Sequence, residues 1–347
     1  MTVHAASPAV LPGAVAEVGP WVAGLDLGGT KIAACVAAPS GVLARSRVPV
    51  PRAGDTCAVA RSMIATLEQC CAQLAINPGQ LARVGVSACG PFVGARGVLC
   101  SAAPNLCGGL SETAALPNDW TQIDLEAPLR ERFGRVVIAN DAQAALVAEH
   151  RFGVLRGTTD CAYITWSTGI GVGLMLDGQL LRGKSGNAGH AGHSVVPSRS
   201  SPLPQCGCGN EGDVESLAGG ASLARRWGAD TESLFAAWRA GDARATGLVD
   251  RALDAVADLI YNLVVTLDID HVAIGGGLFC AQADRLLHAL RARVAASGRR
   301  PGMRSMVEPL RIAAVDDPRR TAELGALSLV IPADWNAFAA EPMALHS

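Results

Sequence analysis

Residues 22–50 read VAGLDLGGTKIAACVAAPSGVLARSRVPV, and residues 161–181 read CAYITWSTGIGVGLMLDGQLL. Each stretch is an apolar run, a polar Gly-rich turn and a second apolar run. A further tight turn follows, at Ser40-Gly41 in the first and Asp177-Gly178 in the second. Apolar runs of this length bounded by Gly, Ser and Thr predict paired β-strands. Gly28-Gly29-Thr30 and Ser167-Thr168-Gly169 occupy the same place in the pattern, so the two stretches are read as a duplicated hairpin opening two related halves.

Helical spacing fills the gaps between predicted strands. Val59, Met63, Leu67, Cys70 and Leu74 recur every three or four residues across 57–76, and Leu248, Ala252, Val256, Leu259, Leu263 and Leu267 do so further on. The runs LARVGVSAC, VVIAN and HVAIGGG predict buried strands. Strands alternating with helices place the chain in the α/β class.

The 347 residues are 50% hydrophobic and 17% charged, enough for two domains with ample core. A net charge of -2 offers no electrostatic footprint for nucleic acid or an acidic membrane surface. Eleven cysteines are scattered, several (Cys35, Cys89, Cys161) inside apolar runs where a thiol packs as a small hydrophobe. The first residues lack the basic, then apolar, pattern of a secretory signal, and no run is long enough to span a bilayer. A cytoplasmic protein with reduced thiols is the expectation.

The strand ends carry the chemistry. In Asp26-Leu27-Gly28-Gly29-Thr30-Lys31, two glycines let backbone N–H groups approach phosphate oxygens, and Thr30 adds a hydroxyl. Asp26 suits a hydrated Mg²⁺. Thr168, Gly169, Gly171 and Gly173 form a second such turn, and Gly275-Gly276-Gly277, between a strand and a helix, a third. Any one of them is explained by an ordinary turn; three at strand ends point to one ligand with several phosphates. Asn140-Asp141 stands at a strand-to-helix junction, where it reads either as a helix N-cap or as a general base with a substrate-orienting neighbour. Between 182 and 215 come His190 and His193, then Cys206 and Cys208, which are ligands zinc prefers.

Taken together, L-D-L-G-G-T-K, A-N-D-A-Q-A-A, S-T-G-I-G-V-G, G-N-A-G-H-A-G-H, C-G-C-G-N-E-G-D-V-E and I-G-G-G resemble, in order and spacing, the motifs of the ROK (repressor–ORF–kinase) sugar kinases over residues 22–330. The resemblance implies an actin-like, ribonuclease-H-like ATPase fold, with two α/β domains flanking a cleft. It implies a tail over 1–20, an N-terminal domain over 21–139 completed by a C-terminal helix at 320–333, a second domain over 140–319 with a His/Cys loop at 187–215, and a tail over 334–347. Asp141 would be the catalytic base for a sugar 6-hydroxyl. Asn105, Asn140, His190, His193 and Glu215 would line the sugar site. ATP and Mg²⁺ would lie along Asp26–Lys31, Thr168–Gly173 and Gly275–Gly277.

Two departures from the family pattern matter. The family's G-E-x-G-H becomes G-H-x-G-H, so His190 replaces a glutamate that grips sugar hydroxyls. A single imidazole cannot copy a two-oxygen acceptor. The same replacement resembles that in bacterial N-acetylmannosamine kinases. In the Cys motif, Asp213 stands where the third cysteine is usual. The implied zinc set is then His193, Cys206, Cys208 and Asp213, a harder and weaker set than three thiolates; alternatively, the loop holds its shape by hydrogen bonds and packing. The expectation is an ATP-dependent hexose 6-kinase of glucokinase type. The alternatives are an N-acetylmannosamine kinase, a sugar-sensing regulator and a catalytically silent sugar binder. The twenty residues before the first strand are too few for a regulator's helix-turn-helix. The family's frequent homodimers leave a second copy of the chain as a candidate partner.

Overall fold

The computed structural model describes residues 21–94, 98–110, 116–198, 200–297, 301–335 and 338, so the tail expected over 1–20 lies outside it. In chain order the first half runs β1 (Trp21–Leu27), β2 (Lys31–Ala38), β3 (Gly41–Pro49), α1 (Ala58–Gln73) and β4 (Leu81–Ala88). Three short strands follow, β5 (Phe92–Val93), β6 (Cys100–Ser101) and β7 (Ile123–Asp124), then α2 (Glu126–Phe133) and β8 (Val136–Asn140). Helix α3 (Asp141–Phe152) leads to β9 (Cys161–Trp166), β10 (Ile170–Leu176) and β11 (Gln179–Leu180). After the His/Cys loop come α4 (Val214–Ala218), α5 (Gly220–Trp227), α6 (Thr231–Arg239), α7 (Ala243–Leu267) and β12 (His271–Gly275). The chain continues through α8 (Gly277–Cys280), α9 (Ala283–Ser297), α10 (Arg304–Val307), β13 (Arg311–Ala314) and α11 (Pro318–Ser328).

The repetition reaches well beyond the hairpins. One five-stranded sheet has the order β3-β2-β1-β4-β8 and the other β11-β10-β9-β12-β13. In both, the first strand pairs antiparallel with the second and parallel with the fourth, and the fourth runs parallel to the fifth. The central strands β1 and β4 are near-continuous apolar runs, as strands covered on both faces must be. Val59, Met63, Leu67 and Cys70 of α1 bury fully on one face of the first sheet. The long α7 buries Val256, Ile260 and their neighbours under the second. Trp166, the last residue of β9, stacks on Phe279 of α8 with ring centroids 6.1 Å apart, and both are wholly buried. Truncating either to Ala costs about 3–5 kcal/mol.

Helix α11 returns to the other face of the first sheet. Gly85 on β4 has no side chain because a Cβ there would collide with the Ala326 carbonyl of α11. The expected span of 320–333 needs correction: the helix ends at Ser328, Val330 and Ile331 both donate to the Leu327 carbonyl, and Pro332 cannot donate to continue the ladder. The tail expected from 334 also begins differently. Trp335 and Phe338 are each 6% exposed and stack at 6.2 Å in a core with Val22 and Leu327. The large apolar area of two aromatic rings outweighs the cost of ordering these residues.

Candidate functional site

The turn after β1 is closed by Gly28 N–H donating to the Lys31 carbonyl at 3.0 Å. Thr30 and Lys31 are exposed, as groups meeting a phosphate must be. A Cβ on Gly29 would lie 2.9 Å from the Asn105 amide nitrogen, so Asn105 and the turn after β1 are direct neighbours. Asp26 faces Ser87 across the β1–β4 register, and Ser87 Oγ donates to its Oδ1 at 2.9 Å. Burial pushes Asp26 up to about 6, with the charge of Asp141 adding to the rise and Ser87 and Lys31 opposing it. Ser87 was not singled out from the sequence; only its register opposite Asp26 reveals it.

Asp141 opens α3, one residue past β8. Asn140 is the N-cap, its Oδ1 accepting from Ala142 N–H at 3.0 Å, so the capping reading of this pair holds. Asp141 Oδ1 accepts from the same N–H at 2.8 Å. Solvent reaches Asp141, yet protein crowds its surroundings. That desolvation raises its pKa; the Ala142 N–H and His190 pull the other way, and Glu215 adds to the rise. The start of α3 sits directly on β10. A Cβ on Gly173 would meet the Ala142 carbonyl at 2.5 Å, and one on Gly171 would meet the Ala142 Cβ at 3.1 Å. Both glycines therefore have a packing duty, which seats the helix that carries Asp141.

The segment after β11 is fastened to the first half. Arg182 donates to the Ile138 carbonyl, and Gln143 Nε2 to the carbonyls of Gly186 (3.1 Å) and Ala188 (2.8 Å). The Asn187 side chain accepts from Phe92 N–H and donates to the Phe92 carbonyl, both at 2.7 Å. None of these side chains stood out in the sequence, because backbone-fastening residues follow no motif. They deliver His190 to the end of β8. Its Nδ1 is 3.0 Å from the Asn187 carbonyl, which can only accept, so in the neutral ring Nε2 is an acceptor. A Cβ on Gly90 would lie 3.2 Å from that Nε2 and 3.4 Å from Asn140 Nδ2. An acceptor and a donor thus converge beside Gly90.

The implied metal ligands come together. One ligand atom each from His193, Cys206, Cys208 and Asp213 lies within 4.8 Å of all the others. Nδ1 of His193 is 3.2 Å from Asp213 Oδ2 and 3.6 Å from Cys206 Sγ, and Cys208 Sγ is 3.6 Å from the same Oδ2. Zinc bonds of about 2.0–2.3 Å in a tetrahedron separate ligands by roughly 3.3–3.8 Å, so the donor set fits that ion. Asp213 is fully buried and divides its oxygens: Oδ1 caps α4 through Ser216 N–H at 2.7 Å while Oδ2 faces the set. Its burial alone would raise its pKa; the hydrogen bonds from His193 and Ser216 outweigh that and hold it low. The same bond to Asp213 raises His193, against the effect of burial.

Glu215 connects this set to the second turn. Its Oε2 accepts from Ile170 N–H at 2.8 Å, and Cys206 Sγ lies 3.5 Å from its Oε1. Gly169 packs against the same carboxylate, and a side chain there would collide with it. Exposed Thr168 keeps its hydroxyl free of the fold, its carbonyl taking Ala221 N–H at 2.9 Å. At the third turn, Gly275 and Gly276 are pressed against Tyr163 and Trp166, and only Gly277 faces open space.

A family model described as "ROK family" matches residues 22–332. An N-acetylmannosamine kinase of Haemophilus influenzae is 32% identical over 265 residues, 74% of this chain and 81% of that protein. The solved ROK hexokinase from Thermus thermophilus is 30% identical with a TM-score of 0.68, covering 89% of this chain and 97% of its own. A ROK family glucokinase from Streptomyces griseus, solved with glucose and AMPPNP, is 25% identical with a TM-score of 0.66 over 89% of this chain and 98% of its own. The fold is that of the actin-like ATPases. Among the described residues, no helix is long and apolar enough to cross a membrane.

Proposed function

The chain belongs to the ROK family, and within that family of sugar kinases and regulators we propose that it is an ATP-dependent sugar 6-kinase. The observation that carries this reading is Asp141, a solvent-reachable carboxylate of raised pKa beside Asp26, Asn140 and His190. A base whose pKa sits nearer neutrality accepts a hydroxyl proton more effectively at that pH than an ordinary carboxylate. Asn140 Nδ2 and His190 Nε2 hold sugar hydroxyls beside Gly90, Asn105 adds an amide, and Asp141 takes the 6-hydroxyl proton as that oxygen attacks the γ-phosphorus of ATP. Thr30, Lys31, Thr168 and Gly169 supply donors to the phosphates, and Gly277 lies open to the nucleoside side. Asp26 would hold Mg²⁺ through water, an ion that would neutralise phosphate charge. His193, Cys206, Cys208 and Asp213 would hold zinc, which would brace the loop between His190 and Glu215.

N-acetylmannosamine is the sugar favoured by His190 and by the similarity to the Haemophilus influenzae kinase. Glucose is the second reading, favoured by the similarity to the Thermus hexokinase and the Streptomyces glucokinase. A coupled assay over glucose, mannose, N-acetylglucosamine and N-acetylmannosamine separates them. A kcat/KM for glucose above that for N-acetylmannosamine discards the first reading. His190→Glu is expected to move the ratio of the two toward glucose by about 10–100-fold, the worth of one or two charged hydrogen bonds. No turnover with any sugar would return the protein to the regulatory or silent branch.

A further inference from the structure

Two carbonyls of the first phosphate turn, those of Gly29 and Thr30, are claimed by the chain that leaves β3. Val50 N–H donates to the Thr30 carbonyl at 3.0 Å, and Arg52 Nη2 donates to the Gly29 carbonyl. The other arm of the same guanidinium, Nη1, donates to the Asn105 carbonyl at 2.9 Å. Asn118 locks the frame: its Nδ2 donates to the carbonyls of Arg52 (3.3 Å) and Leu106 (3.2 Å), and its Oδ1 accepts from Gly108 N–H at 2.8 Å. One planar side chain therefore spans the turn expected to meet phosphate and the turn expected to meet sugar.

The planarity of the peptide makes this consequential. In a trans peptide the C=O and the next N–H point in opposite directions. Arg52 takes the Gly29 carbonyl, so the Thr30 N–H of the same peptide points away from Arg52, and Thr30 and Lys31 are exposed. Among the described residues no carboxylate pairs with Arg52, so its charge adds to that of Lys31 at the turn. The arginine fork sets donors on separate nitrogens in one rigid plane; a lysine ammonium gathers its three donors on one atom of a flexible stem and cannot reproduce that spacing.

We propose that Arg52 is a positioning residue that couples sugar binding to phosphate binding, by holding the Gly29–Thr30 peptide and the Asn105 turn in one rigid unit. This rests on the kinase reading above. The test compares the wild-type protein with Arg52→Ala and Arg52→Lys. The measurements are steady-state kinetics in both substrates, calorimetric binding of AMPPNP with and without saturating sugar, and Tm. The wild type is expected to bind AMPPNP more tightly when sugar is present. Arg52→Ala should lose that enhancement and about 10–100-fold in kcat/KM with Tm little changed. Lysine should fail to restore it, and free guanidinium at tens of millimolar, but not ammonium, should recover part of the Arg52→Ala turnover. The proposal is overturned if Arg52→Ala stays within twofold of wild type, or if it keeps the sugar-dependent enhancement, or if its loss follows a fall in Tm with no guanidinium recovery. A wild type inert toward every sugar sinks the kinase reading instead, and the calorimetric comparison still decides the coupling.

Discussion

The hairpins β1–β2 and β9–β10 share a topology and differ in almost everything chemical. The second-to-last residue of the leading strand is Asp26 in one and Thr165 in the other; the first residue of the return strand is exposed Lys31 in one and buried Ile170 in the other. Charge in the first copy comes from the hairpin itself. In the second it comes from outside, through Glu215 accepting from Ile170 N–H. The carriers differ too: Arg52 and Val50 hold the first turn by its carbonyls, while Glu215 holds the second by an N–H. A duplicated scaffold has thus kept its strand order while only one copy presents ionisable groups beside Asp141. Under the proposed kinase reading, the reacting phosphate would lie at the first copy and the second would serve as a mostly neutral cradle.

The largest effect should come from breaking that asymmetry at its charged centre. Asp141→Asn is expected to lower kcat by about 10²–10⁴-fold with sugar binding by calorimetry preserved, because Asn keeps the shape and cannot accept the proton. Near-wild-type turnover would remove Asp141 from the chemistry. Next in size is the support of the second copy. Glu215→Ala leaves the Ile170 N–H without its acceptor and should cost about tenfold or more in kcat/KM, whereas Glu215→Gln, whose amide oxygen still accepts, should lose less. Equal losses in both would place the importance of Glu215 in its charge rather than in this bond.

The metal set gives a smaller, separable effect. Metal analysis of the purified protein is expected to find zinc, and a chelator should lower the wild-type Tm. Asp213→Asn keeps a capping oxygen for Ser216 N–H and should lose metal with little further cost, while Asp213→Ala also forfeits a cap worth about 1 kcal/mol. A Tm indifferent to chelator would leave the loop held by its hydrogen bonds alone.

The smallest effect is on stability, and its sign is distinctive. Asp26 titrates near 6 when folded against 3.8 for an unperturbed group, so between those values the native state binds more protons than the unfolded chain. Stability from this group is full below about pH 4 and is lost as pH rises through 6. Asp26→Asn should therefore raise Tm at pH 7 by more than at pH 4. A Tm difference that is flat with pH would show that Asp26 is not held in its uncharged form by the fold.

The fold was legible because turn glycines and strand runs recur at matching positions, and a pattern repeated twice along one chain needs no tertiary knowledge. Of the metal set, His193 and the Cys206–Cys208 pair stood out as residue types zinc prefers, whereas Asp213 was reached only through the family motif; the four ligand atoms do come within 4.8 Å of one another. Other roles were not legible. Asp213 as a helix cap, Glu215 as the acceptor for Ile170, and Gly173 as the seat of α3 each depend on what lies opposite, which spacing along the chain does not reveal. Arg52, Ser87 and Asn187 act on partners far away in the chain, so no local pattern marks them. The C-terminal aromatics were missed for another reason: the family motifs end before them, yet Trp335 and Phe338 stack and bury in a core with Val22 and Leu327.

Asn187 clasps the segment after β11 to the first residue of β5, by a matched pair of 2.7 Å bonds to Phe92. In mechanical language that makes it a rivet. Pulling the two strips apart there would strand a backbone N–H and a carbonyl at once.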